Sequence, residues 1–143
     1  MTASIVLADC TRAFDREYTY RIPEGMRLAP GIRVLVPFGR SNELRDGWVV
    51  AVQEDDAAPV SQHPVRTTPV RLKTVAEQVD AEPLLGDDLM RLARWMRDRF
   101  FCTWHQALSC MLPSGARLVQ KADGSYSRRD AGKTRRAMMP VLT

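Results

Sequence analysis

Along the first half of the chain, hydrophobic and polar positions alternate with the period of two that a half-buried strand requires, and further on the period lengthens to that of a helix. SIVLAD (4–9) is a short apolar run and reads as a strand. EYTYRI (17–22) sets Tyr18, Tyr20 and Ile22 against Glu17, Thr19 and Arg21, and Pro23-Glu24-Gly25 ends it. Ala29-Pro30-Gly31 is a second turn, with proline where its fixed φ starts a turn and glycine where φ can be positive. IRVLVPF (32–38) alternates again: Ile32, Val34, Val36 and Phe38 share one face, and Arg33, Leu35 and Pro37 the other. RSNELRD (40–46) reads as a link, and GWVVAVQE (47–54) is apolar enough for burial on both faces. Residues 55–69 hold Pro59, Pro64 and Pro69 and no periodicity, so they read as a loop. VRLKTVAEQV (70–79) reads as the last strand.

Beyond this point Leu85, Leu89, Leu92, Met96 and Phe100 recur at helical spacing, the stripe of an amphipathic helix, with Asp87 and Asp88 at its dipole-favoured start. Thr103-Trp104-His105-Gln106 has the T-x-x-Q form of a capping box and predicts a second helix that stops at Pro113. Short turn-linked strands followed by two helices predict an α+β fold. The expected architecture is a small, strongly curved antiparallel sheet or partial barrel of about five to six strands, followed by two C-terminal helices. The domain would span 1–113, β-rich over 1–80 and helical over 84–113. Residues 114–143, rich in Gly, Ser and Arg, read as a basic tail, much of it expected to be disordered alone, or as the start of a truncated winged-helix region.

With 143 residues and 45% apolar content the chain can bury a core, and no apolar run approaches the length of a membrane span. MTASIVLADC lacks a basic leader, and the three cysteines, Cys10, Cys102 and Cys110, are odd in number without a C-x-x-C pair; a reducing cytoplasm is the expected location. Charge is uneven. Residues 1–113 carry 14 basic and 15 acidic residues, a balance of −1, whereas 114–143 carry seven and two, a balance of +5. A nearly neutral body can bind nucleic acid only through a few placed groups, because diffuse attraction scales with the phosphates neutralised. Arginine makes up 18 of the 21 basic residues and suits planar contacts to phosphate, though a GC-rich genome produces the same bias.

Few residue patterns suggest catalysis. Gly132-Lys133-Thr134 resembles the end of a phosphate-binding loop, but the glycine that motif needs five positions earlier is Ser127. Cys102, His105 and Cys110 lack the fourth ligand of a structural zinc site. Asp55-Asp56 and Asp87-Asp88 fall in a loop and at a helix start, ordinary solvated places. No metal, cofactor or active site is expected. The tyrosine strand is more informative. Tyr18 and Tyr20 point to one face, as core residues or as a stacking platform for nucleobases. Gly39, without a side chain, lets a ligand approach the backbone, and Arg40 follows at the strand exit where a cation can meet a phosphate.

These residues resemble the opening of the primosomal protein N′ (PriA) family of replication-restart helicases. DREYTYRIPEGMRLAPGIRVLVPFGR is similar to the family's D-R-x-F-D-Y-x-I-P-x-G…x-P-G-x-R-V-x-V-P-F-G-[RK]. GWVVAV, and LKTVAEQVDAEPLL with the helical segment after it, follow in family order over about residues 4–118. The resemblance implies a module that binds DNA by capturing the 3′-terminal nucleotide of a nascent strand at a stalled fork, with other primosome proteins as possible partners. It implies a pocket at Tyr18, Thr19, Tyr20, Gly39 and Lys73, to which Arg40 is added from the residues themselves. Neither helicase lobes nor a paired C-x-x-C zinc module is present, so the chain is expected to hydrolyse no ATP.

One departure concerns the site directly. The family's aspartate is Thr19 here, and its phenylalanine is Tyr18. Threonine offers an uncharged hydroxyl where a carboxylate would accept from a base edge or the terminal 3′-OH. Losing one charged hydrogen bond costs on the order of 1.5 to 3 kcal/mol, about ten- to a hundred-fold in affinity. Asp15, in the Phe14-Asp15 pair just upstream, is a second candidate for that carboxylate, although Arg16–Pro23 fits the motif with Thr19 in the slot. Two other readings stay open at the level of sequence: a general single-strand DNA or RNA binder driven by the basic tail, and a fragment in which both tyrosines are core and nothing binds.

Overall fold

Five strands make one sheet in the order β2-β1-β4-β3-β5, every adjacent pair antiparallel. They are β1 (Thr2–Leu7), β2 (Tyr18–Arg21), β3 (Arg33–Phe38), β4 (Glu43–Gln53) and β5 (Glu77–Gln78). Helices α1 (Asp87–Phe100) and α2 (Trp104–Met111) follow, so the α+β architecture holds. This computed structural model describes residues 1–8, 11–54, 71–112, 116, 118–120 and 126–128. The chain divides into two units, Met1–Met111 and Leu112–Thr143. Within the second, β6 (Leu118–Gln120) pairs antiparallel with β7 (Tyr126–Arg128).

The alternating residues bury as their period demands. Ile5, Tyr20, Ile22, Val34, Val36 and Val49 meet on one face, each 8% exposed or less. β3 is buried on its other face too, where Arg33 and Asp80 form a fork-on-carboxylate pair at 2.7 and 2.9 Å. Both side chains are 3% exposed, and the guanidinium lies 5.7 Å from the centroid of the Trp48 ring. Gly31 explains the turn before β3. Its φ is +93°, and a Cβ there would stand 1.9 Å from the carbonyl oxygen of Leu85, so only glycine lets that segment pass so closely.

The last strand departs from expectation. VRLKTVAEQV does not run as one strand over 70–79; residue 70 lies outside the described residues, and only Glu77–Gln78 pairs as strand. The reason is that this segment serves two edges. Arg21 of β2 donates to the carbonyl of Lys73 and accepts from the amide of Val75, after which Ala76 and Val79 donate to Leu35 and Arg33 of β3. The segment thus spans the gap between the sheet's edges by changing partner, and the sheet is strongly curved without closing. A second difference is that β4 begins at Glu43, inside the stretch read as a link, because the hairpin turn is only Gly39–Asn42 and Phe38 pairs with Glu43. The loop read at 55–69 lies outside the described residues, as does most of the tail apart from β6 and β7.

Both helices form where the pattern placed them, but α1 packs by another face. Its buried residues are Met90 and Ala93, while Leu89, Leu92 and Phe100 remain 38%, 43% and 63% exposed. Arg94 and Arg97 explain the rotation: their guanidiniums lie over the Trp104 ring at 5.4 and 5.6 Å, so arginine stems fill part of the packed side. The capping box of α2 is realised in both directions, Gln106 N–H to Thr103 Oγ1 at 3.2 Å and Thr103 N–H to Gln106 Oε1 at 2.9 Å. Trp104, 1% exposed, anchors α2.

Candidate nucleic-acid interface

Where β3 turns into β4, the backbone is bare. Gly39 has φ +70° and is exposed, and no atom lies within 4 Å of where its Cβ would be. The hairpin needs this left-handed residue, which glycine adopts at little cost. Facing it is Lys73, brought there by the edge-spanning segment: its backbone pairs with Arg21 of β2, and its Nζ donates to the carbonyl oxygen of Gly39 at 2.6 Å. An exposed ammonium is therefore fixed at an exposed peptide corner, two residues separated by 34 positions. Arg40, next in the turn, is exposed as well.

The two tyrosines are not equivalent. Tyr20 is 3% exposed, which corrects its candidacy as a stacking ring, because its π-face meets the core. What it supplies to the corner is its hydroxyl, which donates to the carbonyl of Pro37 at 3.0 Å and fixes the backbone leading into Gly39. Burial first, and the neighbouring Tyr18 hydroxyl second, push the Tyr20 hydroxyl up from 10.0 to about 12, so it stays a donor at neutral pH. Tyr18 is half-buried at the rim of the core, its ring edge-on to Phe38 at 5.2 Å. Thr19 is half-buried between them, and strand alternation turns its side chain to the face opposite theirs.

Asp15 does not occupy the carboxylate position. Its side chain, 8% exposed, turns toward the helices, accepting the backbone N–H of Trp104 at 2.8 Å and the Nε of Arg97 at 3.3 Å. The same arginine donates to the Asp15 carbonyl at 2.9 Å. Asp15 thus joins the segment before β2 to both helices. The sequence pattern missed this role, and missed Phe14, whose ring is edge-on to Phe38 at 5.7 Å and 46% exposed. The proximity of FD to the tyrosine strand was the available signal.

Among the described residues no cluster of three or more His, Cys, Asp or Glu could hold a metal, and no helix is long and apolar enough to cross a membrane. The Lys133 region of the tail lies outside the described residues.

Comparison with known proteins covers most of this unit. Residues 5–113 match the family model described as the 3′DNA-binding domain (3′BD) of PriA. The chain is also similar to the replication restart protein PriA of Bacillus subtilis (strain 168), 32% identical over 114 residues. That alignment takes in 78% of the chain and 13% of the relative's length.

Proposed function

The chain belongs to the PriA 3′ DNA-binding domain family, and from that premise we propose that it binds DNA in replication restart by capturing the 3′ end of a nascent strand at a stalled fork. The observation that carries this reading is the Lys73 ammonium held 2.6 Å from the Gly39 carbonyl, at a corner where nothing fills the space of a missing side chain. A terminal nucleotide needs both properties: a cation for its phosphate and room to lay the sugar against backbone. Arg40 adds a second cation beside the first. Tyr20 acts through the Pro37 carbonyl and Tyr18 through its packing on Phe38, so both hold the corner's shape rather than cover a base. Thr19, where the family has aspartate, is an uncharged acceptor for the terminal 3′-OH or a base edge, and end discrimination is correspondingly weaker.

The chain spans 13% of the length of the relative it matches, and its match is to the DNA-binding domain. Contact with other primosome proteins, and a site of action in the cytoplasm, belong to the same proposal. Fluorescence anisotropy with matched oligonucleotides ending in 3′-OH or 3′-phosphate tests it. Tighter binding of the free end is expected; equal binding of both would refute end capture.

A further inference from the structure

The geometry points to a second nucleotide subsite beside the corner, made by Phe14 with Arg16, that stacks the base on the 5′ side of the terminal nucleotide. This subsite rests on the end-capture reading just given.

Phe14 ends a 3₁₀ turn (Arg12–Phe14) that has no buried residue, yet its ring is fixed in place. It meets Phe38, the residue before Gly39, edge-on at 5.7 Å, and Tyr18 meets the other side of the trio at 5.2 Å. Its carbonyl accepts the Tyr18 hydroxyl at 3.3 Å. The turn is pinned at both ends, by Arg12 donating to the carbonyl of Phe101 at 2.6 Å and by the Asp15 carboxylate on Trp104 and Arg97. A ring left 46% exposed on so constrained a turn gains little for the core. It is, however, a preorganised flat apolar surface one residue from the bare corner, and a base can stack on such a surface without the protein reordering.

The charges sort the same way. Asp15 and Glu17 both turn to α1, where Arg97 and Arg94 neutralise them at 3.3 and 3.2 Å. Arg16 instead turns to Tyr18, its guanidinium 5.3 Å from the ring centroid and its Nε donating to the hydroxyl at 3.3 Å. The face presented beside the corner is therefore aromatic and cationic, with the segment's two carboxylates paired elsewhere. An aromatic surface with a cation at its edge is the pairing that single-strand binders use for base and phosphate.

The test is a cycle between Phe14 and the penultimate base, read by anisotropy with short 3′-OH oligothymidines that carry either an intact or an abasic penultimate position. The wild type should bind the intact strand about tenfold tighter than the abasic one, and Phe14→Ala should lose about tenfold on the intact strand and almost nothing on the abasic one. Phe14→Trp should restore the loss, and Phe14→Leu, which keeps apolar packing on Phe38, should not. Wild-type affinity in Phe14→Ala, or equal wild-type affinity for intact and abasic strands, overturns the subsite. Adding a matched 3′-phosphate strand separates the two readings: equal wild-type binding of free and blocked ends with the abasic effect intact would overturn end capture instead. No binding to any strand would overturn both.

Discussion

Tyr20 donates its hydroxyl hydrogen to the carbonyl oxygen of Pro37 at 3.0 Å, tying the edge strand β2 to the end of β3 just before Gly39. Because burial lifts this hydroxyl from 10.0 to about 12, the protonated form is favoured in the folded state. Its contribution is fully present below pH of about 10 and is lost as pH rises through about 12, since between those values the folded state holds a proton that the unfolded state has released. Tyr20→Phe should cost about 1 kcal/mol at neutral pH, the net worth of one neutral hydrogen bond. It should also flatten the fall in stability across this alkaline window. Urea melts of both proteins at neutral and alkaline pH check the two effects together.

Asp15 joins the strand region to both helices through a nearly buried carboxylate, so removing it strips α2 of a charged partner at its N-terminus and leaves Arg97 half-buried beside a vacated place. Asp15→Ala should destabilise the fold by about 2 to 3 kcal/mol. Arg91→Ala breaks an ion pair with Asp88 whose side chains are 79% and 90% exposed, and should change stability by no more than about 0.5 kcal/mol. Thermal melts of the two variants provide the comparison.

The buried Arg33–Asp80 pair is a stronger case. Each charge is 3% exposed, so Asp80→Ala leaves a guanidinium uncompensated and should cost about 3 to 5 kcal/mol. Replacing both, Arg33→Met with Asp80→Leu, should recover most of that loss, because the desolvation cost of the pair disappears with it. Denaturant unfolding of the single and double variants tests the coupling.

Two glycines separate strain from space. Gly39→Ala meets no atom and pays only for its positive φ, about 1 kcal/mol, while placing a methyl group on the proposed floor of the socket. It should stay folded and bind DNA ends more weakly. Gly31→Ala drives a Cβ to 1.9 Å from the Leu85 carbonyl oxygen and adds φ strain to overpacking. It should lie at or above the upper end of the roughly 1–3 kcal/mol overpacking range. Circular dichroism melts alongside anisotropy distinguish the two.

What the sequence made legible follows from short-range rules. Alternation at Tyr18, Tyr20 and Ile22 and at Ile32, Val34 and Val36 located β2, β3 and the core face, and Thr103 with Gln106 fixed the start of α2. The positions of Gly39 and Lys73 as neighbours needed the family motif, since nothing in the 33 residues between them signals that these two ends meet. Other features depended on tertiary partners. The stripe of Leu89, Leu92 and Phe100 suggested a packed face, but Arg94 and Arg97 found Trp104 and turned α1 onto Met90 and Ala93. Tyr20 and Tyr18 share a strand face, yet Tyr20 lies deeper because Tyr18 sits at the sheet's end against Phe38. Asp15 looked available for the socket until the helices claimed it.

End capture rests on Lys73 at Gly39, and its most direct test is the affinity for matched 3′-OH and 3′-phosphate ends, measured in the wild type, Lys73→Ala and Arg45→Ala. Arg45 is exposed and pairs with Glu43 at 3.4 Å, so it is a charge-matched control. The wild type and Arg45→Ala should share a preference for the free end and bind with similar affinity, and Lys73→Ala, without the cation that meets the phosphate, should bind both ends more weakly. Equal affinity for the two ends in the wild type, or an affinity of Lys73→Ala no lower than that of Arg45→Ala, would contradict end capture at this corner.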